Sequence, residues 1–210
     1  MNNYKLAILI PTFLRDNLLY KTIQSIVSYY TSNSHILIAD QGYCATEKET
    51  TIDYFKSQIP LEYYKLPFDS GLGVSKNFLV QKAFELNIPY CLIMSDAIQF
   101  VESYNFEPLF KDLDNTILNF KLQNVDPIAL KDIFIAKTNL IGDLWDLEMK
   151  IYEYKLAFNE CINRNYKIIW NDSYNFKKSK YRASDEYYSY AKRIKDFKKL
   201  SEQKEKQLCI

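Results

Sequence analysis

The sequence predicts an α/β fold in which a mainly parallel central sheet is flanked by helices. Short apolar runs that are typical of buried strands alternate with longer segments whose apolar residues recur at helical spacing. Strands separated by helices of this length need right-handed crossover connections, and these produce a parallel sheet. With 210 residues, 48% of them apolar, the chain can bury the core of one such domain.

Each predicted element in the first hundred residues has its own signal. The first strand is almost continuously apolar and stops at Pro11, which is typical of a strand buried on both faces. Asp16 can cap the helix that follows. The predicted strands are 5–10, 35–39, 61–66 and 90–94, and the predicted helices are 16–30, 46–57 and 74–86.

Polar or glycine-bearing loops follow all four strands at their carboxyl ends. Open α/β sheets bind ligands at this edge, so the four loops together predict one site. Three of the only four glycines in the chain lie in these loops, and each indicates a turn or the close approach of a ligand to the backbone. The loops are Pro11-Thr12-Phe13, Asp40-Gln41-Gly42, Gly71-Leu72-Gly73 and Ser95-Asp96-Ala97.

The composition argues against several other classes of protein. The four cysteines show no paired spacing, which argues against a disulfide framework and a structural zinc site. The single histidine, His35, opens a predicted strand, which argues against a histidine-based catalytic triad, and one histidine cannot form a multi-histidine metal site. No apolar run approaches the roughly 20 residues of a membrane helix, and the N-terminus has too short an apolar core for a secretory signal. We therefore expect a cytoplasmic protein without a transmembrane segment, with a peripheral position at a membrane surface or the host cytoplasm of a virus as alternatives.

Four motifs, in this order, resemble the nucleotide-sugar half of family 2 glycosyltransferases and their relatives of the GT-A fold. They are Leu9-Ile10-Pro11-Thr12-Phe13, Ile38-Ala39-Asp40, Gly71-Leu72-Gly73-Val74-Ser75-Lys76-Asn77 and Met94-Ser95-Asp96. The resemblance covers residues 5–100 and continues less fully through 145–172. It implies a Rossmann-like GT-A domain over 1–176, with a donor half at 1–100 and an acceptor half at 101–176.

The resemblance also implies that the donor substrate is a nucleoside diphosphate sugar, with UDP as the expected nucleotide. In the family, the residues after the first strand, where Thr12 and Arg15 lie here, pack the base and place a cation near the phosphates. An acid at the position of Asp40 accepts hydrogen bonds from the base, and a cation at Lys76 faces the diphosphate. The alternatives are a turn or helix cap for Asp40 and a solvated helix position for Lys76. The implied donor-binding residues are Pro11, Thr12, Arg15, Asp40, Gly71, Gly73, Lys76, Asn77, Ser95 and Asp96.

At Asp96 the sequence departs from the family. Members usually carry two or three aspartates here, because Mg²⁺ or Mn²⁺ bridges carboxylate and diphosphate oxygens. The chain has Ala97 where the family's metal-binding carboxylate is expected, and Asp96 occupies the position nearer the ribose. Two expectations follow. Either Asp96 alone binds Mg²⁺ or Mn²⁺ together with the substrate phosphates, or Lys76, Arg15 or a basic residue of the C-terminal extension supplies the positive charge instead.

Inverting sugar transfer, which the resemblance implies, also needs a carboxylate that takes the proton of the acceptor hydroxyl. The segment 142–154 resembles the stretch in which the family places this acid, and Glu153 matches its first acid. Glu148 and Asp146 are the next candidates, and a later acid pair of the family is replaced here by Lys155-Leu156. The alternative for Glu153 is an exposed position on an amphipathic helix. The apolar stripe of that helix would contain Ile151, Tyr154, Phe158, Cys161 and Ile162.

The C-terminal extension, 177–210, is basic and rich in aromatic residues. Residues 177–206 contain eleven Lys or Arg and five Asp or Glu, a net charge of +6. One interpretation is an amphipathic helix that covers the domain or a partner subunit. The other is attraction to an acidic acceptor, either an anionic membrane bearing a lipid-linked glycan or nucleic acid.

These observations and the resemblance predict a glycosyltransferase. It would move a sugar from a nucleoside diphosphate sugar to a hydroxyl of a glycan or other acidic acceptor, with inversion. One alternative is a DNA glycosyltransferase of the virus type, acting on a hydroxymethylated base. The other is a catalytically degenerate protein that binds nucleotide sugars, which the incomplete aspartate motif and the missing acid pair would indicate.

Overall fold

A mixed β-sheet with helices on both faces forms the fold in the computed structural model, which describes residues 4–29, 33–123, 128–150, 153–179 and 198–204. The eight strands in these ranges are β1 (Leu6–Thr12), β2 (Ser34–Asp40), β3 (Leu61–Lys65), β4 (Tyr90–Met94), β5 (Ile98–Phe100), β6 (Thr116–Gln123), β7 (Ile133–Lys137) and β8 (Lys167–Lys178). The α-helices are α1 (Asp16–Ser28), α2 (Thr46–Lys56), α3 (Leu72–Glu85) and α4 (Glu153–Asn163). Two 3₁₀ turns cover Glu107–Asp112 and Thr138–Leu140, and residues 198–204 are helical.

The strand order in the sheet is β3-β2-β1-β4-β7-β6-β8-β5. The first four strands are parallel, as the sequence predicts. β7 runs antiparallel to both β4 and β6. β8 is long enough to pair in parallel with β6 and then, beyond an irregularity in that pairing, antiparallel with β5. The α/β fold class is therefore confirmed, and its antiparallel part lies in the region for which the sequence predicted no strands.

Burial explains why the first strands form. Every residue of β1 and β2 is buried, because helices cover both faces of the sheet at this point. One core contains residues of α1 and α2, and the other contains residues of α3 and α4. The helices contribute side chains to both cores. They are Leu19, Ile23, Ile26, Ile52 and Phe55 on one face of the sheet and Leu79, Val80, Ala83, Ala157 and Cys161 on the other.

The boundaries of the predicted elements agree with the structure to within about two residues. β1 continues through Pro11 to Thr12, and α3 begins at Leu72. The predicted end of the first helix, Tyr30, lies outside the described residues, and α1 ends at Ser28. Most of the predicted amphipathic helix of the C-terminal extension also lies outside the described residues. No helix within the described ranges is long and apolar enough to cross a membrane.

An aromatic layer fixes the far end of the sheet. Phe176, on β8, is fully buried, with its ring centroid 5.5 Å from that of Phe100 on β5 and 5.3 Å from that of Phe120 on β6. Pairs of aromatic rings at these separations add to the free energy gained from burial alone. The remaining members of the layer are Tyr104, Phe106 and Tyr174.

Truncation of this layer should destabilise the whole domain. We expect Phe176→Ala to lower the free energy of unfolding by about 3–5 kcal/mol, because it leaves a cavity between three strands. Phe84 is a matched control, since its side chain on α3 is 60% exposed and its loss should cost less than about 1 kcal/mol. Urea unfolding followed by circular dichroism measures both values. Similar losses for the two variants would contradict the assigned packing of β8.

Candidate functional site

The carboxyl ends of β1, β2 and β4 bring three polar residues to one edge of the sheet. Thr12 ends β1 and Asp40 ends β2, and these two residues are partners in the strand register. Asp96 follows β4, which pairs with β1 on its other side. All three side chains are fully buried. Buried polar groups are rarely left without hydrogen-bond partners, and the loops of this edge supply them.

Asp96 forms a two-point ion pair with Arg15. Nε of Arg15 donates to Oδ2 of Asp96 over 3.1 Å, and Nη2 donates to Oδ1. The hydroxyl of Thr12 donates to Oδ2 over 2.7 Å, and that of Ser95 donates to Oδ1 over 3.3 Å. The hydroxyl of Thr22, on α1, donates to the backbone carbonyl of Asp96 over 2.8 Å. Burial raises the pKa of the Asp96 carboxyl, whereas Arg15 and these hydrogen bonds stabilise its charged form.

The residues at this position do not fit a divalent metal ion. Both carboxylate oxygens of Asp96 already accept hydrogen bonds from protein donors. Ala97, at the position where the family's metal ligand is expected, is buried and offers no side-chain oxygen. Within the described ranges, no three His, Cys, Asp or Glu side chains are grouped so that they could hold a metal. Hard cations such as Mg²⁺ and Mn²⁺ need oxygen ligands that the protein does not present here.

Asp40 is the centre of a second buried network. The backbone N–H of Gly42 donates to its Oδ1 over 2.7 Å, and the hydroxyl of Tyr63 donates to its Oδ2. Nζ of Lys48 lies 2.5 Å from Oδ2 of Asp40 and 2.5 Å from a carboxylate oxygen of Asp16. Burial lowers the pKa of Lys48, but its bonds to the two carboxylates outweigh burial, so the pKa lies above its usual value. Burial and the bond to Asp40 raise the pKa of Tyr63, which keeps its hydroxyl a donor.

Gly71 is shaped by the backbone that surrounds it. Its φ of +101° lies in the region that favours glycine. Its N–H donates to Oε1 of Gln41 over 2.6 Å, so the loops after β2 and β3 are joined directly. Gln41 belongs to a predicted loop, but no pattern in the sequence predicts its hydrogen bond to Gly71.

Residues 146–150, which we call the strap, lie across the start of α3. The first N–H groups of a helix have no partner within the helix. Here Leu72 and Gly73 donate to backbone carbonyls of the strap over 3.1 and 3.4 Å. A Cβ on Gly73 would overlap the carbonyl oxygen of Asp146. The close approach that the glycines indicate is therefore an approach of protein backbone in this structure.

A buried ion pair joins α3 to α4. Nζ of Lys76 lies 2.8 Å from Oε1 of Glu153, and the two side chains are only 4% and 3% exposed. Lys76 also lies 5.4 Å from the ring centroid of Trp145, whose backbone bonds the amide of Asn77 over 2.7 and 3.3 Å. Oε2 of Glu153 and Nε1 of Trp145 are buried without a hydrogen-bond partner among the described residues. Such groups are stable when a water or a ligand hydroxyl bonds them.

This burial overturns the alternative interpretation of Glu153 as an exposed helix residue. α4 buries Leu156, Ala157 and Cys161 together with Glu153. Phe158 and Ile162, which belong to the predicted apolar stripe, are 37% and 54% exposed. The predicted stripe is correct at Cys161, which is buried, and at Tyr154, which packs against the core, and wrong at Phe158 and Ile162, while Ile151 lies outside the described residues. Glu153 is buried in an ion pair with a residue 77 positions away, and periodicity carries no record of that pair. Lys76 is likewise buried, so the alternative of a solvated lysine is also overturned.

The other two candidate acids lie apart from Glu153. Nζ of Lys204, in the C-terminal extension, lies 2.7 Å from Oδ2 of Asp146 and 2.6 Å from Oε2 of Glu148. The Glu148 side chain is 75% exposed. The extension therefore contacts the domain through the strap, which agrees with the first of the two interpretations of this segment for the part that the structure describes.

The predicted donor-binding residues thus fall into three neighbouring groups. Thr12, Arg15, Ser95 and Asp96 contact one another, Asp40 belongs to the network around Lys48, and Lys76 and Asn77 lie on α3 with Gly71 and Gly73 at its start. Pro11 lies within β1, opposite Ala39.

Sequence reasoning missed Lys48 and Tyr63. A lysine on a polar helix and a tyrosine in a strand carry no signal of a shared carboxylate.

A methyl group added at Gly73 should clash with the strap and destabilise the protein. We expect Gly73→Ala to lower the free energy of unfolding by about 1–3 kcal/mol, because the clash outweighs the better helix propensity of alanine. Gly142→Ala is the matched control, since a Cβ at Gly142 meets no atom within 4 Å. The control should change stability by less than about 1 kcal/mol. Urea unfolding and limited proteolysis of the strap measure the difference, and equal behaviour of both variants would refute the contact.

Solved structures of other proteins superpose on this chain, whereas sequence comparisons find no match. No family model and no curated protein sequence matches the chain. Residues 1–349 of S. aureus TarS, solved with UDP-GlcNAc, superpose with a TM-score of 0.61 and 15% identity over 85% of this chain and 60% of that one. The mannosyltransferase PcManGT from Pyrobaculum calidifontis, solved with GDP-Man and Mn²⁺, gives a TM-score of 0.67 and 10% identity over 83% and 56%. GalNAc-T7, solved with UDP, GalNAc and Mn²⁺, gives 0.65 and 11% over 83% and 43%.

The chain spans between 43% and 60% of the length of these three proteins. The superpositions, at identities of only 10–15%, show a shared fold. The mainly parallel half of the sheet, its antiparallel continuation and the helices on both faces agree with that fold. The fold that the resemblance implies is thereby confirmed, and the chain has the GT-A fold.

Proposed function

We propose that the protein transfers a sugar from a nucleoside diphosphate sugar, with UDP as the nucleotide, to a hydroxyl of a glycan or other acidic acceptor, with inversion. The observation that carries the proposal is the buried carboxylate of Glu153, which has one oxygen without a protein partner. It begins a helix beside Lys76 and the glycine loop, at the sheet edge where open α/β folds bind ligands. Fold relatives solved with UDP-GlcNAc and GDP-Man support the class of donor.

In this proposal Glu153 acts as the general base. The acceptor oxygen forms a bond to the anomeric carbon while its proton passes to Oε2 of Glu153. The bond between that carbon and the diphosphate oxygen breaks, and its electron pair stays on the leaving nucleotide. A carboxylate that is already placed by an ion pair needs little reorganisation for this role. Because Glu153 is only 3% exposed, the acceptor can reach it only after a movement of the residues around it.

The donor would lie along the ends of β1, β2 and β4. Pro11 and Thr12 would pack the nucleoside, and Asp40 would hold the Gly42 loop beside the base through the bond to its N–H. Asp96 would lie next to the ribose, and Arg15 would lie next to the phosphates. Asn77, bonded to the backbone of Trp145, would hold the acceptor side against α3.

Replacement of the proposed base gives a direct test. Glu153→Gln keeps the shape of the side chain but cannot take the proton, so we expect transfer or donor hydrolysis to fall about 10²- to 10⁴-fold. The affinity for UDP, measured by calorimetry, should change little. Glu160→Gln is the matched control, because Glu160 lies on the same helix and pairs with Arg164. Full activity of Glu153→Gln and loss of activity in Glu148→Gln would transfer the role to Glu148.

A second candidate function is binding of nucleotide sugars without catalysis. Three observations favour it: Asp96 has no free carboxylate oxygen, Glu153 is buried in an ion pair, and Asp146 and Glu148 are paired with Lys204. Titration with UDP-sugars and a parallel hydrolysis assay separate the two functions. Binding without turnover for every donor and acceptor tested would support the second.

The two kinds of acceptor, a glycan and DNA, differ in how much they need the positive charge of the C-terminal extension. Lys204 already pairs with two acids of the strap, so at least one cation of the extension serves the domain itself. We therefore favour a glycan hydroxyl over a hydroxymethylated base in DNA. A salt-sensitive shift of duplex DNA that is lost with residues 177–210 would reverse this preference.

A further inference from the structure

We infer that the guanidinium of Arg15, oriented by Asp96, binds the donor diphosphate in place of a divalent metal ion, so that donor binding does not depend on metal. The inference rests on the proposed function. It concerns the group that compensates the negative charge of the diphosphate, which fold relatives solved with Mn²⁺ suggest could be a metal.

A metal ion could bind Asp96 only if the ion pair between Asp96 and Arg15 were broken. A metal at Asp96 would have to displace Arg15 from a fully buried carboxylate that Thr12 also bonds. Breaking a buried ion pair leaves a charge without compensation, which is strongly unfavourable. Ala97 cannot offset this cost, because it adds no oxygen ligand.

Arg15 lies at the beginning of α1. It directly precedes α1, and its backbone carbonyl accepts hydrogen bonds from Leu18 and Leu19 over 2.9 and 3.0 Å. The backbone of Arg15 therefore caps the N-terminus of a 13-residue helix, while its guanidinium bonds the carboxylate of Asp96. Arginine matches phosphate geometry with paired N–H donors.

The side chain of Arg15 is also accessible. It is 22% exposed, whereas Lys48 and Lys76 at the same edge are 3% and 4% exposed, and all three pair with carboxylates. Lys65 is 30% exposed and lies 3.8 Å from Asp40, but a lysine lacks the paired donors of a guanidinium. Arg15 can thus reach a ligand at the surface of the site while Asp96 holds its orientation. Asp96 becomes a positioning residue for Arg15, and this explains why one carboxylate of the aspartate motif persists without its neighbour.

Binding of UDP and of uridine tests the inference, with calorimetry in EDTA and in Mn²⁺ as the measurement. We expect UDP to bind wild-type protein with the same affinity in both buffers, to within about twofold. Arg15→Gln should weaken UDP about tenfold or more, since a charged hydrogen bond is lost, but should leave uridine binding unchanged. Asp96→Asn should weaken UDP in the same direction. Arg164→Gln, an arginine that also pairs with acids and is 29% exposed, should affect neither ligand.

Two further measurements keep the test decisive. If Arg15→Gln does not fold, Arg15→Lys replaces it, and we expect weaker UDP binding with normal uridine binding because lysine lacks the paired donors. The electron paramagnetic resonance spectrum of Mn²⁺ should remain that of the free ion when protein without UDP is added, and a mixture of Mn²⁺, UDP and protein should show no bound species beyond the Mn²⁺–UDP complex that forms without protein.

Each contrary result has one meaning. UDP binding that requires Mn²⁺, or equal weakening of UDP and uridine by Arg15→Gln, would overturn the inference and leave the proposed function intact. Failure of every nucleotide to bind in either buffer would overturn the proposed function, and the inference with it.

Discussion

The rest of the structure depends on the burial of β1 and β2 from both sides. Neither strand has an exposed face, so neither can carry a polar side chain along its length without a partner. The polar residues of the two strands therefore lie near their termini, with Ser34 and His35 at the start of β2 and the others at the carboxyl ends. Thr12 and Asp40 occupy the last positions of the two strands, and Asp96 follows the neighbouring strand. The site lies at this edge because it is the first place along the chain where the core permits polar groups.

The same burial determines how the charges are arranged. A carboxylate removed from water needs an opposite charge and hydrogen bonds, and each acid at this edge has them. Asp96 bonds Arg15, Asp40 bonds Lys48, and Glu153 bonds Lys76. These pairs join α1, α2 and α3 to the sheet or to α4. The result is a set of dipoles that is fixed before any ligand arrives, which is the arrangement that lowers the cost of developing charge in a reaction.

The sequence could predict the parts of this structure that depend on local pattern. Continuous apolar runs identified β1 and β2, and scarce glycines marked a close approach at the start of α3. The partner in that approach could not be predicted, since the strap lies more than seventy residues away. Lys48 was missed for a similar reason, because its carboxylate partners belong to other elements. The antiparallel strands β5 to β8 depend on pairing between distant segments, and the assigned roles of the site residues remain predictions.

The strap that covers α3 affects the meaning of any affinity measured for this protein. Its carbonyls already accept the N–H groups of Leu72 and Gly73, so an anion at this helix end would replace an intramolecular acceptor instead of water. The apparent dissociation constant would then contain the population of molecules in which the strap has opened. Arg15 precedes a different helix, α1, and the hydrogen bonds of the strap to Leu72 and Gly73 do not involve it. In the proposed site, opening of the strap would therefore change binding at the start of α3 separately from binding at Arg15.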